Sequence, residues 1–262
     1  GTGAIEVAKT LQDCKVDYLA VAVADEGREL RNAGITTSIM VMNPERTSFK
    51  LLFDYKLEPE IYSFHLLEEL IRAAEHNGIT NFPIHIKIDT GMHRLGFAPS
   101  DIPELVRRLK RQTAVIPSSV FSHFAGSDSA YFDDYSELQV ERFKMAADTL
   151  QEAFRHYIAR HICNSAGIER LPQQHFDMVR LGLGLYGVNP INNQLLDNVA
   201  TLKTTILQIR NLPKDETVGY SRKGVLERDS KIAALPIGYA DGLNRRLGNR
   251  NAYCLVNGKK AY

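Results

Sequence analysis

Three polar side chains in one short stretch, His85, Lys87 and Asp89, alternate with Ile84, Ile86 and Ile88. Successive side chains on a strand point to opposite faces. One face of a strand over 84–89 is therefore isoleucine, and the other carries imidazole, ammonium and carboxylate. A turn, Thr90-Gly91-Met92-His93, then brings Arg94 back toward the strand's carboxyl end. A buried strand seldom carries three polar groups on one face unless that face lines a site. The plainer alternative is a half-exposed antiparallel strand with a wet side.

Other chain segments repeat the arrangement. His123 ends the apolar run at 118–124, Asn164-Ser165 ends another at 159–164, and Arg180 lies in a third at 178–181. Gly182-Leu183-Gly184-Leu185-Tyr186-Gly187 follows at once and matches the spacing of a dinucleotide fingerprint. Its context refutes that reading, because Val188-Asn189-Pro190 ends the run where a helix is required. A loop whose backbone N–H groups grip a phosphate is the better reading, with Ser165 as a second grip. A glycine turn allowing close packing is the structural alternative.

These residues must be positioned by alternating strands and helices. Strands are expected near Tyr18, Ser38, Ile61 (61–64), Ile84 (84–89), Ser118, Ala159 and Met178 (178–181). Helices are expected over 4–14, 25–33, 66–76, 101–110 and 135–156, with Asp101 as a cap and a short helix at 166–170. This beat implies parallel βαβ units. Seven strands behind an orphan leading helix predict an α/β chain, a (β/α)₈ TIM-like barrel with its first strand missing. In such barrels reactive groups gather at the carboxyl ends of the strands, which would place Lys87, Arg94, His123, Ser165 and Arg180 at one end. After Pro190 the rhythm changes to period two, over 199–210, 232–235 and 253–256, with turns at Leu212-Pro213 and Asn257-Gly258. The expected organisation is a barrel domain over 1–190 and a partial, mainly antiparallel β domain over 191–262, with the boundary near Asn189–Asn198. The opening helix and a closing hairpin read as cut mid-strand make both ends look like cuts.

Composition sets the bounds. The 262 residues are 44% hydrophobic and 24% charged, ordinary for a globular protein, and the net charge of +1 implies no nucleic acid or membrane surface as partner. Three widely spaced cysteines with no CxxC or other metal spacing fit a reducing cytosol, so a cytoplasmic protein without a metal site is expected.

The motifs now on the page, Lys87-Ile88-Asp89-Thr90-Gly91-Met92-His93-Arg94-Leu95-Gly96, Ser122-His123-Phe124-Ala125, Asn164-Ser165-Ala166 and Arg180 through Gly187, resemble in order those of alanine racemase. Val218-Gly219-Tyr220-Ser221 and Gly238-Tyr239-Ala240-Asp241-Gly242 continue the series. The resemblance spans essentially the whole chain. It implies a fold-type III barrel with a C-terminal β domain, the cofactor pyridoxal 5′-phosphate (PLP), and L-alanine to D-alanine interconversion by two bases, supplying D-alanine for peptidoglycan. By that resemblance Arg180 bonds the cofactor's pyridine nitrogen, and an arginine there keeps its proton and weakens the electron sink. Arg94 bonds the phenolic oxygen. Lys87 matches a lysine that is often carbamylated to hold that arginine, since an ammonium would repel it. His123 stands beside the ring, linked to Arg180. Asn164, Ser165, Gly182 and Leu183 hold the phosphate end. Tyr220 is one catalytic base, reaching the partner subunit's site in a homodimer with shared active sites. Tyr239 lines the corridor by which substrate arrives.

The resemblance also marks departures. The family's Schiff-base lysine, its second base, lies at the end of the first barrel strand, and Gly1-Thr2-Gly3 looks like residues just past it. The later Met-Asp pair and a phosphate-binding tyrosine would fall beyond Tyr262. Lys9 and Lys15 sit on an outer helix and its end, so neither replaces the lysine. Residues 1–262 alone are expected to be inactive. Fusion behind a Mur ligase is compatible with the missing start. The alternatives are another fold-type III amino-acid racemase or decarboxylase, for which Cys254 lies in the required domain but at no recognised motif, and a non-catalytic PLP-binding protein.

Overall fold

Short apolar runs separated by amphipathic ones fold, in the computed structural model, into six parallel strands with helices between them. Residues 3–189, 191, 192 and 196–262 are described. The boundary expected at 189–198 falls partly outside them, as does Gly1-Thr2. Contacts between Cα atoms divide the chain into two units, Gly1–Val199 and Ala200–Tyr262.

In the first unit α1 (Ala4–Asp13) leads into β1 (Tyr18–Val21), α2 (Ala24–Asn32) and β2 (Ser38–Val41). Then come α3 (Phe49–Asp54), β3 (Glu58–Ile61), α4 (Phe64–His76), β4 (Phe82–Lys87) and α5 (Ile102–Leu109). β5 (Val115–Phe121), α6 (Asp133–Ala153), β6 (Ala159–His161) and α7 (Ser165–Arg170) complete it. The strands form one sheet in the order β1-β2-β3-β4-β5-β6. Tyr18 on β1 meets His85 on β4 edge-to-face, ring centroids 5.4 Å apart. Strands three places apart in a sheet touch only if the sheet curls, as a barrel wall does.

Patterning explains the layers. α4 buries Leu66, Leu67, Leu70 and Ala74, and α6 buries Ser136, Gln139, Val140, Phe143, Ala146, Ala147 and Leu150, the spacing of one helical face. Ser63 Oγ accepts from Leu66 N–H at 3.2 Å and caps α4, and Gly78, at φ 66°, ends it. These faces cover the outward isoleucines Ile39, Ile61, Ile84 and Ile86, all fully buried. Burying one such side chain is worth ~1.5–3 kcal/mol. The curl turns Glu58, His85, Lys87, Ser119 and His161 inward.

Several expectations shift. The third strand is Glu58–Ile61, not 61–64, because Glu58 and Glu60 face a polar barrel interior. The fourth runs over 82–87 and stops before Asp89, whose carboxylate bonds the turn that follows. The segment at 178–181 is not a strand, although Arg180 N–H still bonds Cys163 C=O beside β6 at 2.9 Å. α6 runs over 133–153, and Asp101 accepts from Ala98 N–H at 2.9 Å to brace the turn ahead of α5 instead of capping it.

The second unit holds three antiparallel pairs. β7 (Gln208–Leu212) pairs with β10 (Ser230–Ala234), β8 (Thr217–Val218) with β9 (Gly224–Val225), and β11 (Cys254–Val256) with β12 (Lys259–Ala261). Only the end of the expected 199–210 strand pairs. The turn between β11 and β12 has Asn257 at φ 49° and Gly258 at φ 76°, the two left-handed positions of a type I′ hairpin. None of the described residues in 200–262 is buried.

Candidate active site

Arg180 is the hub of the strand ends. Its Nη1 donates to His161 Nδ1 at 2.6 Å, and its Nη2 donates to the carbonyls of Ser122 (2.6 Å) and Ile162 (3.1 Å) and to His123 Nδ1 (3.3 Å). The guanidinium lies 5.1 Å from the centre of the Phe121 ring, which stacks on His161 at 4.7 Å. Lys87 Nζ lies over the same ring at 4.3 Å. Phe121 thus offers its electron-rich surface to two cations that would otherwise repel each other directly.

Behind Arg180 a hydrogen-bonded chain crosses the interior. His161 Nε2 meets Ser119 Oγ at 3.0 Å, Ser119 Oγ meets His85 Nδ1 at 2.7 Å, and His85 Nε2 meets Glu58 Oε2 at 2.9 Å. Tyr18 Oη donates to the same carboxylate oxygen at 3.2 Å. His85 and His161 are fully buried. Burial, and Arg180 beside it, hold His161 far below the ordinary histidine range. His123 is pushed down to about 3 by burial and by the cations Arg180, Lys87 and Arg94. Burial and then Glu58 raise the Tyr18 phenol to about 12.

The loops fix the rest. Asp89 accepts from the N–H groups of Gly91 and His93, both at 3.0 Å, while Phe97 N–H bonds Lys87 C=O and Asp89 N–H bonds Phe97 C=O. This closed loop presents Arg94, exposed, at the mouth. Gly96 sits at φ 131° with Asp89 N only 2.5 Å from where a Cβ would be, so glycine is required. Gln139, reaching in from α6, donates to His123 C=O at 3.0 Å and accepts from Ala125 N–H at 2.9 Å, fixing the loop that carries His123.

Ser165 Oγ accepts from Gly182 N–H at 3.0 Å and Gly184 N–H at 3.3 Å, so the helix start and glycine loop converge. Asn164 Oδ1 accepts from Gly167 N–H and Ser127 Oγ–H, both at 2.9 Å, and acts as the cap of α7. Leu183 is exposed on a turn of 3₁₀-helix. Lys87, Arg94, His123, Ser165, Arg180 and Gly182 are thus gathered around the strand ends. Tyr220, 89% exposed, and Tyr239, exposed beneath Arg245, belong to the second unit and are each set on a 3₁₀ turn behind a glycine, Gly219 or Gly238. Among the described residues there is no cluster able to hold a metal ion and no helix long and apolar enough to cross a membrane.

The residues present suit an anionic, aromatic cofactor. A guanidinium carries five N–H donors, and Arg180 Nε–H with one Nη1–H has no partner among the described residues. Two glycine amides and a serine hydroxyl meet at one point, a suitable grip for a phosphate.

A curled parallel β/α sheet with a cationic, histidine-lined mouth defines a barrel enzyme of the anion-binding kind. Residues 1–190 match the model of the alanine racemase N-terminal domain, and residues 199–262 that of its C-terminal domain. Alanine racemase 1 of Clostridium acetobutylicum is 38% identical over all of this chain and 69% of its own length. Alanine racemase 2 of Caldanaerobacter subterraneus is also 38% identical, over 99% of this chain and 68% of its own. The crystal structure of alanine racemase from D-cycloserine-producing Streptomyces lavendulae, 30% identical, superposes with a TM-score of 0.89 over 98% of this chain and 69% of that one. The chain belongs to the alanine racemase family of isomerases.

Proposed function

We propose that the protein carrying this chain interconverts L-alanine and D-alanine with PLP as its cofactor, as a cytoplasmic homodimer supplying D-alanine for peptidoglycan. The observation that carries the reading is Arg180, half-buried, bonded on one side to His161, His123 and two carbonyls, and left with spare donors.

Bound there, the cofactor would supply an electron sink for the amino acid's α-carbon. Arg180 would donate to its ring nitrogen without surrendering a proton. Arg94 would donate to its phenolic oxygen, with Lys87 as support. Ser165 and the amides of Gly182 and Leu183 would hold the phosphate, with Asn164 fixing the start of α7. Tyr220 of the partner subunit would exchange the α-proton on one face, and Tyr239 would line the approach. The base for the other face is, by family resemblance, a lysine that residues 1–262 do not carry at a matching place.

The test is conversion of L-alanine to D-alanine by the full-length protein, read with a D-amino-acid oxidase couple, beside a polypeptide of residues 1–262. Turnover by the former and none by the latter is expected. Absence of turnover in the PLP-loaded full-length protein, or turnover of a different amino acid alone, sinks the assignment. Borohydride fixation of PLP to a lysine of the shorter polypeptide sinks the expectation that it is inactive.

A further inference from the structure

A row of side chains on α6 reaches both of the loops that carry Arg94 and His123. Tyr135, Gln139 and Arg142 stand four and then three residues apart, the spacing of one helical face. Tyr135 Oη donates to Gly91 C=O at 2.8 Å, and Arg142 Nη1 donates to Thr90 C=O at 3.0 Å. Both bonds end on the turn that leads from β4 to Arg94. Gln139, between them and fully buried, donates to Thr90 Oγ1 at 3.2 Å and to His123 C=O at 3.0 Å, and accepts from Ala125 N–H at 2.9 Å. One amide thus joins that turn to the loop of His123.

The direction of each bond is fixed by its backbone ends. Ala125 N–H can only donate, so Gln139 Oε1 faces it, and His123 C=O can only accept, so Nε2 faces that carbonyl. The second Nε2–H is left for Thr90 Oγ1. Ser122 Oγ gives its proton to Ile88 C=O at 2.8 Å, so across the 2.7 Å contact between Thr90 Oγ1 and Ser122 Oγ it is Thr90 that donates. Thr90 and Ser122 are buried. Ser122 C=O in turn accepts from Arg180 Nη2 at 2.6 Å. One directed run therefore ties α6 to the ends of β4 and β5 and to Arg180. Buried and satisfied at every member, it favours a single arrangement, and loss of one member leaves its neighbours unpaired.

We propose that Gln139 is a positioning residue of this site: it locks the Arg94 turn to the His123 loop, so that the two groups keep one mutual placement. A planar amide with two donors and one acceptor meets all three partners at once. Methionine has similar length and meets none of them. A carboxylate would set its oxygens against the His123 carbonyl.

The proposal rests on the reading of Arg94 and His123 as groups that face PLP, so its test reads the lock first without PLP. Hydrogen exchange at the Ala125 amide is followed in full-length protein freed of PLP, and PLP affinity is then measured by equilibrium dialysis. Thr90 makes no hydrogen bond to Ala125 among the described residues, and Thr90→Val removes only the hydroxyl that Gln139 holds. The expected result is ~tenfold faster exchange at Ala125 and ~tenfold weaker PLP binding, both restored in Thr90→Ser. In a Gln139→Met background Thr90→Val should add nothing to either loss. Leu150→Val, a core change near the other end of α6, controls for general loss of stability and should move neither readout. Unchanged exchange in Thr90→Val, an equal rise in Leu150→Val, additive losses in the double variant, or native PLP affinity despite faster exchange overturns the proposal. Wild type that binds no PLP would sink the functional reading instead, with exchange alone deciding the lock. If Gln139→Met does not fold, the Thr90→Val and Thr90→Ser pair decides it by the same readouts.

Discussion

Arg180 Nη1 donates to His161 Nδ1 across 2.6 Å, and this bond sets the proton positions of three further groups. A guanidinium has donors only, so His161 Nδ1 must accept and its proton must sit on Nε2. That N–H donates to Ser119 Oγ, whose hydroxyl donates to His85 Nδ1, which leaves the His85 proton on Nε2 to donate to Glu58. Each group in the interior chain therefore points its donor away from Arg180, and the far carboxylate is the terminal acceptor. Long-range ¹H–¹⁵N spectra of the imidazoles should show both histidines as Nε2–H tautomers. A proton on Nδ1 of either would break the scheme.

His123 and His161, held neutral in the fold, make stability depend on acid. The value for His123 in the folded protein, about 3, lies below its ordinary 6.5. As pH falls the unfolded chain takes up the proton first, so stability is fully present above pH 6.5 and declines as pH drops toward 3. His161 adds to the decline in the same direction. Denaturant midpoints measured across this window should fall steadily. A flat profile would show that neither imidazole is held neutral.

Arg180→Lys tests the hub. An ammonium cannot reach His161, Ser122, Ile162 and His123 together from one planar fork. Acceptors left unpaired in the interior should cost ~2–4 kcal/mol in urea unfolding. An unchanged midpoint would mean that the network around Arg180 contributes nothing to the fold.

Gly96→Ala tests the loop that carries Arg94. A methyl group would meet Asp89 N at 2.5 Å, at a φ of 131°. Misfit of this kind costs ~2 kcal/mol or more, read as a lowered Tm with weakened PLP binding. A variant with native Tm would show that the loop closes without glycine.

How much of this was legible in the sequence depends on which signals were local. Alternation of apolar and polar residues located β4 and its charged face, and motif order placed Arg94, His123, Ser165 and Arg180 around the strand ends. Glu58 and Glu60 were missed although Leu57-Glu58-Pro59-Glu60-Ile61 has the same alternation as β4. Pro59 breaks the run with a residue that cannot donate to a ladder, yet it fits this short strand. Ser119, His161 and Gln139 were missed for a different reason. Their roles come from partners 34 to 49 residues away in sequence, across strands or from α6, and nothing in their own neighbourhood signals it. Met178–Leu181 failed as a strand because a strand requires continuous backbone pairing, and within this run the described residues show only Arg180 N–H bonded to Cys163 C=O.

Ser165→Ala removes the oxygen on which the amides of Gly182 and Gly184 converge. One exposed and one part-buried donor would lose their acceptor, at a cost of ~1 kcal/mol or less. If the same point grips the phosphate, PLP affinity should fall ~tenfold by equilibrium dialysis, with inorganic phosphate correspondingly weaker as a competitor. Native affinity in this variant would move the phosphate away from Ser165.

Tyr220→Phe separates chemistry from structure. Tyr220 is 89% exposed on a turn, so deleting its hydroxyl should change stability by less than ~0.5 kcal/mol. PLP binding to the barrel residues should also be unchanged. A proton-transfer group typically contributes ~10²–10⁴-fold in rate, so racemisation should fall by that order in at least one direction. If Tyr220 acts across a dimer, mixing Tyr220→Phe protein with Arg180→Lys protein should restore part of the activity. A heterodimer then pairs an intact Arg180 site with an intact Tyr220 from the other subunit. Full activity in Tyr220→Phe would exclude it as a base, and loss without recovery in mixed dimers would place its action within its own subunit.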